Sequence, residues 1–114
     1  MRETRPIRSI KAAHKDFEDF PTTARNDLLD ALTAVADGGH PSVAKPLTGR
    51  GAGVMELALR HRGDAFRLVY ALKLGADVWV VHAFQKKSTS GIATPKPDIE
   101  LIKDRIRRLQ ELLE

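Results

Sequence analysis

Apolar residues recur along the chain with two different periods, and the change of period divides it. Ala24, Leu28, Leu32 and Val35 fall on one side of a 3.6-residue repeat, which predicts an amphipathic helix. Thr22, just after Pro21, is placed to cap its start. Gly38 and Gly39 end it, because glycine enters the left-handed conformation that closes helices at little cost. From residue 54 the period becomes two. VMELALRH (54–61) sets Met55, Leu57 and Leu59 on one face, and AFRLVYALK (65–73) does the same with Phe66, Leu68, Tyr70 and Leu72. DVWVVHAFQ (77–85) is apolar on both faces, as a central strand should be. The breaks between them, RGD (62–64) and LGA (74–76), are short and contain glycine. They read as antiparallel hairpin turns, so the three strands form a meander.

The remaining segments are shorter. PIRSIK (6–11) reads as an edge strand, with Pro6 at the first position where a missing N–H is tolerated. AAHKDFEDF (12–20) reads as one or two helical turns. GHPSVAKPLTGRGAG (39–53) holds four glycines and two prolines and reads as a loop. Its Gly49, Gly51 and Gly53 do not make a phosphate cradle, since neither a preceding strand nor a helix-opening pattern accompanies them. The chain closes in a helix with Ile99, Ile102, Ile106, Leu109 and Leu113 as its stripe. Thr94 is placed to cap it and Pro95 fits its first turn. Asp98 and Glu100 sit near the positive end of its dipole. The order is strand, helices, three antiparallel strands, helix: an α+β fold, a small antiparallel sheet with helices packed on one face. No repeat or linker interrupts the 114 residues, which read as one domain, 1–114.

Composition narrows the possible chemistry. A 42% hydrophobic and 30% charged chain can bury a core. The absence of cysteine excludes disulfides, thiolate metal ligands and a thiol nucleophile. The four histidines show no metal-ligand spacing, so no metal or other cofactor is expected. No apolar run approaches the roughly 20 residues that span a bilayer, and no apolar region follows the basic start MRETRPIRSIK, as a secretory signal would require. A cytoplasmic protein with no membrane partner is expected. The net charge of +4 favours polyanions, of which nucleic acid is the usual one.

Strand parity places the candidate residues. If Met55, Leu57 and Leu59 face the helices, then Glu56, Ala58 and Arg60 face away, beside Arg67, Val69 and Ala71 of the next strand. That face is small and apolar in its middle with arginines towards one end, a shallow groove with cationic walls. Arginine presents a planar fork that matches phosphate oxygens. The same pattern also describes the solvated face of a half-buried sheet. His61 and His82, at strand ends, have the chemistry of a general acid or base at neutral pH, or of hydrogen-bonded structural residues. Lys86 and Lys87 emerge where the last strand becomes a loop, a frequent place for function and equally a way to solubilise a strand end.

Several motifs in one order carry a family resemblance: AKPL (44–47), the G–G–V–E–L pattern from Gly51 to Leu57, FRLVYAL (66–72), HAFQKKS (82–88) and ATPK (93–96). Over residues 44–106 the chain resembles the phage Gp49-like branch of the RelE/HigB toxin superfamily, and the preceding helical region agrees in layout. The resemblance implies a RelE-like microbial ribonuclease fold and the toxin of a type II toxin–antitoxin system. It implies a metal-independent mRNA endoribonuclease, commonly ribosome-associated, that inhibits translation. The implied partners are mRNA, the ribosome and a cognate antitoxin, expected to be of helix-turn-helix type. In that mechanism the RNA's own 2′-hydroxyl attacks the adjacent phosphate and leaves a cyclic phosphate. Arg67 matches the family's strand arginine at the scissile phosphate, and Lys87 or Lys86 its basic residue after the last strand. The catalytic candidates are Arg67, Lys87, Lys86, His82 and His61, and the RNA-binding candidates are Arg60, Arg62 and Lys45. Some relatives carry a catalytic tyrosine near the C-terminus. No tyrosine follows Tyr70 here, so that role falls to His82, to His61 or to the ribosome. A non-catalytic nucleic-acid-binding module, or a degenerate toxin kept as a protein-interaction partner, are the alternatives.

Overall fold

The periodic segments fold where their patterns place them. A computed structural model describes residues 4–47, 53–86 and 94–113. The elements are β1 (Ile7–Ser9), α1 (Lys11–Glu18), α2 (Thr22–Ala36), β2 (Ala44–Pro46), β3 (Val54–His61), β4 (Asp64–Leu74), β5 (Asp77–Lys86) and α3 (Lys96–Leu113). They form an α+β fold around a five-stranded sheet of order β1-β5-β4-β3-β2. β3, β4 and β5 are the expected antiparallel meander. At the β3–β4 turn Arg62 and Gly63 have φ of 51° and 85°, the left-handed pair that a two-residue hairpin turn needs to match strand twist. The β4–β5 turn is clamped by Arg5, whose guanidinium donates to the carbonyls of Leu72, Ala76 and Asp77.

Two short strands complete the sheet. β1 is an edge strand, as expected, and pairs with β5 in parallel. β2 lies inside the segment expected to be irregular, and pairs antiparallel with β3 through Ala44↔Leu57 and Pro46↔Met55. Three residues between proline-containing flanks are too few to show a period, and Pro46 is tolerated because β2 is an edge. Residues 48–52, with Gly49 and Gly51 of that segment, lie outside the described residues.

The helices divide between the two faces, which corrects the expectation that all pack on one. α1 and α2 cover one face, where Ala13, Phe17, Phe20, Leu28, Leu32 and Val35 meet Leu57, Phe66, Leu68, Tyr70 and Val80. α3 covers the other, where Ile102, Ile106 and Leu109 meet Val54, Val69, Ala71, Leu74 and Val81. The cause lies in β4 and β5, which present apolar side chains on both faces. A single helical layer would leave Val69, Ala71 and Val81 in water, at roughly 25 cal/mol per Å² of apolar surface. The stripe of α3 is shorter than its pattern predicts, since Leu113 is exposed and Ile99 only half-buried.

Helix capping also differs. Thr22 is the first residue of α2, and Pro21 precedes it at the cap without a side-chain bond. Pro95 accepts the first bond of the last helix, from the Ile99 N–H at 3.1 Å, while the Thr94 hydroxyl turns away to the sheet.

Candidate active site

The face under α3 carries polar side chains as well as apolar ones, and strand register arranges them in rows. Across β3, β4 and β5 the outermost row is Arg60, Ala65 and Lys86. The next is Ala58, Arg67 and Phe84, and the third is Glu56, Val69 and His82, with Lys45 of β2 beyond Glu56. Register thus brings Arg60, Arg67, Lys86, His82 and Lys45 to one face. Arg60 and Lys45 are exposed and Lys86 is half-buried. Lys87 lies outside the described residues.

His82 reaches this face through an irregularity. Val69 pairs with His82 while its neighbour Tyr70 pairs with Val80, so Val81 is an extra residue on β5. Strict alternation from Val78 and Val80 would send residue 82 towards α1 and α2. The bulge sends both Val81 and His82 towards α3, and re-aiming a side chain in this way is what bulges do.

Two polar clusters result. Arg67 and Glu56 are buried, and Arg67 Nη1 donates to Glu56 Oε1 at 2.9 Å. The other carboxylate oxygen, Oε2, accepts from the Thr94 hydroxyl at 2.8 Å. Arg67 Nε is a buried donor with no acceptor among the described residues. In the second cluster His82 Nε2 lies 2.7 Å from Asp98 Oδ1. Its Nδ1 lies 3.3 Å from Arg105 Nη1, which also donates to the Val81 carbonyl at 2.9 Å. A guanidinium only donates, so Nδ1 is the acceptor and the ring proton sits on Nε2, aimed at Asp98. The His82 ring stacks on Phe84, centroids 5.1 Å apart.

The other candidates lie elsewhere. His61 shares parity with Leu57 and Leu59, so it belongs to the α1–α2 face, and its ring is 6.2 Å from that of Phe66. It lines a cavity of about 330 Å³ with Thr22, Thr23, Arg62 and Gln85. The sheet separates it from Arg67 and His82, which corrects its place beside them. Arg62 is exposed at the hairpin tip. The expectation that Arg67 lines an open groove also needs correcting, because Arg67 is buried and paired with Glu56.

Glu56, Thr94, Asp98 and Arg105 join the site without having been singled out. Parity had already placed Glu56 on the correct face. Asp98 and Arg105 are seven residues apart and continue the stripe of Ile102, Ile106 and Leu109. Charged residues in register with an apolar stripe were the available signal. Among the described residues no cluster of His, Asp or Glu has the makings of a metal site, and no helix is long and apolar enough to cross a membrane.

Residues 15–107 match the model of the family described as phage derived protein Gp49-like. The chain belongs to the Gp49-like family. Its fold is shared beyond that family. A mutant of E. coli toxin RelE in the free state superposes with a TM-score of 0.64 at 19% identity, covering 93% of this chain and 98% of that one. A chain of the toxin–antitoxin complex RelBE2 from Mycobacterium tuberculosis gives 0.50 at 19% identity, covering 77% and 99%. No curated protein matches. This Gp49-like chain therefore has the RelE-like fold expected from its motifs, with the polar rows set on the face that α3 covers.

Proposed function

We propose that the chain is the toxin of a type II toxin–antitoxin system, a cytoplasmic, metal-independent endoribonuclease that cuts mRNA in association with the ribosome. A cognate antitoxin, of helix-turn-helix type, holds it in check. The observation that carries this reading is the convergence of Arg60, Arg67 and Lys86 from three neighbouring strands onto one sheet face, beside a carboxylate and a histidine. Arg60 and Lys86, in one row, suit a phosphodiester and the extra charge of its transition state, while Arg67 in the next row holds the carboxylate.

The chemistry needs no group from outside the chain and the RNA. Glu56 takes the proton of the 2′-hydroxyl as that oxygen bonds to phosphorus. The bond from phosphorus to the 5′-oxygen breaks, and the proton passes by way of the carboxylate to that departing oxygen. Arg67 fixes Glu56, the Nε2–H of His82 donates to a phosphoryl oxygen, and Arg60, Lys86 and Lys45 hold the strand. In this reading Arg62 extends the basic surface at the hairpin tip, and Lys87, next in sequence to Lys86, stays a catalytic candidate.

A second reading, RNA binding without cleavage, is favoured by the burial of Glu56, Arg67 and His82. Induced expression in bacteria separates the two. The nuclease predicts growth arrest and transcripts that end in a cyclic phosphate, both suppressed in Arg60→Ala and Glu56→Gln. Growth arrest with intact transcripts would leave a binding protein.

A further inference from the structure

The candidate site is closed by the chain itself. Glu56, Arg67 and His82 are all buried, and one segment bonds to two of them, Glu56 and His82. It is the segment from Thr94 to Asp98, which leads into the first turn of α3. The helix is held to the sheet further along, by Ile102, Ile106 and Leu109 in the core and by Arg105 on the Val81 carbonyl. Before Ile102, no residue from 94 to 101 is fully buried. The specific bonds of this end are Thr94 to Glu56 and Asp98 to His82.

The chemistry of those two bonds is that of the proposed substrate. An alcohol donates to the carboxylate of Glu56, as a ribose 2′-hydroxyl would. A carboxylate oxygen accepts from His82 Nε2, as a phosphodiester oxygen would. We propose that residues 94–98 act as an internal substrate mimic, a latch that keeps the site shut until RNA displaces Thr94 from Glu56 and Asp98 from His82. This rests on the reading of that face as the RNA site. The latch opens by peeling the first turn of α3 while its C-terminal two-thirds stay docked. RNA then binds only the open fraction, so apparent affinity falls by that fraction.

The test uses the full chain and a single-stranded RNA oligonucleotide that keeps its 2′-hydroxyls and is made uncleavable by methylene groups in place of its bridging 5′-oxygens. Affinity is measured for wild type, Thr94→Val and Asp98→Ala. Thr94→Val removes the donor while keeping the shape, and Thr94→Ser restores it. Asp98→Ala removes the acceptor and also changes net charge, so Glu100→Gln, an exposed change in the same turn, controls for that. The latch predicts binding on the order of tenfold tighter in Thr94→Val and in Asp98→Ala. Thr94→Ser and Glu100→Gln should stay close to wild type. Amide exchange over residues 96–101 should quicken in both opened variants while that of Ile106 and Leu109 holds. Equal or weaker binding by Thr94→Val, or a gain in Asp98→Ala no larger than in Glu100→Gln, overturns the latch. Tighter binding by the opened variants, with no cleavage of ordinary RNA by any of them on or off the ribosome, keeps the latch and removes the nuclease.

Discussion

Removing the carboxylate of Glu56 should damage the fold more than most single changes. The side chains of Glu56 and Arg67 are 4% and 6% exposed, and they share a bond of 2.9 Å. Glu56→Ala leaves the guanidinium in an apolar layer without its counter-charge, with Nε already lacking an acceptor, and strands the Thr94 hydroxyl. Breaking a buried ion pair from one side costs about 3–5 kcal/mol, chiefly through the charge left behind. With about 4 °C of melting temperature per kcal/mol for a domain of this size, the midpoint should fall by roughly 12–20 °C. Replacing both partners tells a different story. Glu56→Leu with Arg67→Met puts apolar groups of similar volume in a largely apolar site, and such swaps are neutral or stabilising by about 1–4 kcal/mol. Urea unfolding followed by circular dichroism gives each value. The double variant should be more stable than Glu56→Ala and yet leave RNA uncut. If Glu56→Ala loses under about 1 kcal/mol, or the double variant loses the sum of the two single changes, the pair is not the buried, mutually dependent unit described.

Two further outcomes follow from burial. Ile102 is wholly buried where α3 meets the sheet, so Ile102→Ala should cost about 2–5 kcal/mol in the same unfolding experiment. Tyr70 is also buried, and desolvation pushes its hydroxyl from 10.0 up to about 12. Ionisation is therefore harder in the folded chain than in the unfolded one. The stabilisation is complete below pH 10 and should be lost between pH 10 and about 12, by roughly 2–3 kcal/mol. Tyr70→Phe should flatten that alkaline slope, which stability measured against pH will show.

Much of this arrangement was legible in the chain before any coordinates. Period two gave β3 through β5 to within a residue or two, and parity set Arg60, Arg67 and Glu56 on one face. The side occupied by α3 was misjudged because periodicity reports that a face is apolar, not what covers it. The two-sided apolar pattern of β5 was the clue that two layers were needed. β2 was missed since three residues carry no measurable period. The bulge at Val81 was invisible for a related reason: one extra residue in an all-apolar run leaves no mark in hydrophobicity, yet it moves His82 from one face to the other. The local pattern at Thr94 is that of a helix cap, a common use of threonine before a helix. Its hydroxyl instead meets Glu56, a contact across 38 residues that local pattern cannot contain.

Everything functional above depends on RNA lying over the row of Arg60, Ala65 and Lys86, with its phosphates drawn to those two cations. The salt dependence of single-stranded RNA binding reads this directly, because each neutralised phosphate contributes roughly 0.7 to the slope of log affinity against log salt. Removing both cations, in Arg60→Ala with Lys86→Ala, should weaken binding and shrink that slope by about 1.4. An unchanged slope in a folded double variant would place the RNA somewhere else on the molecule.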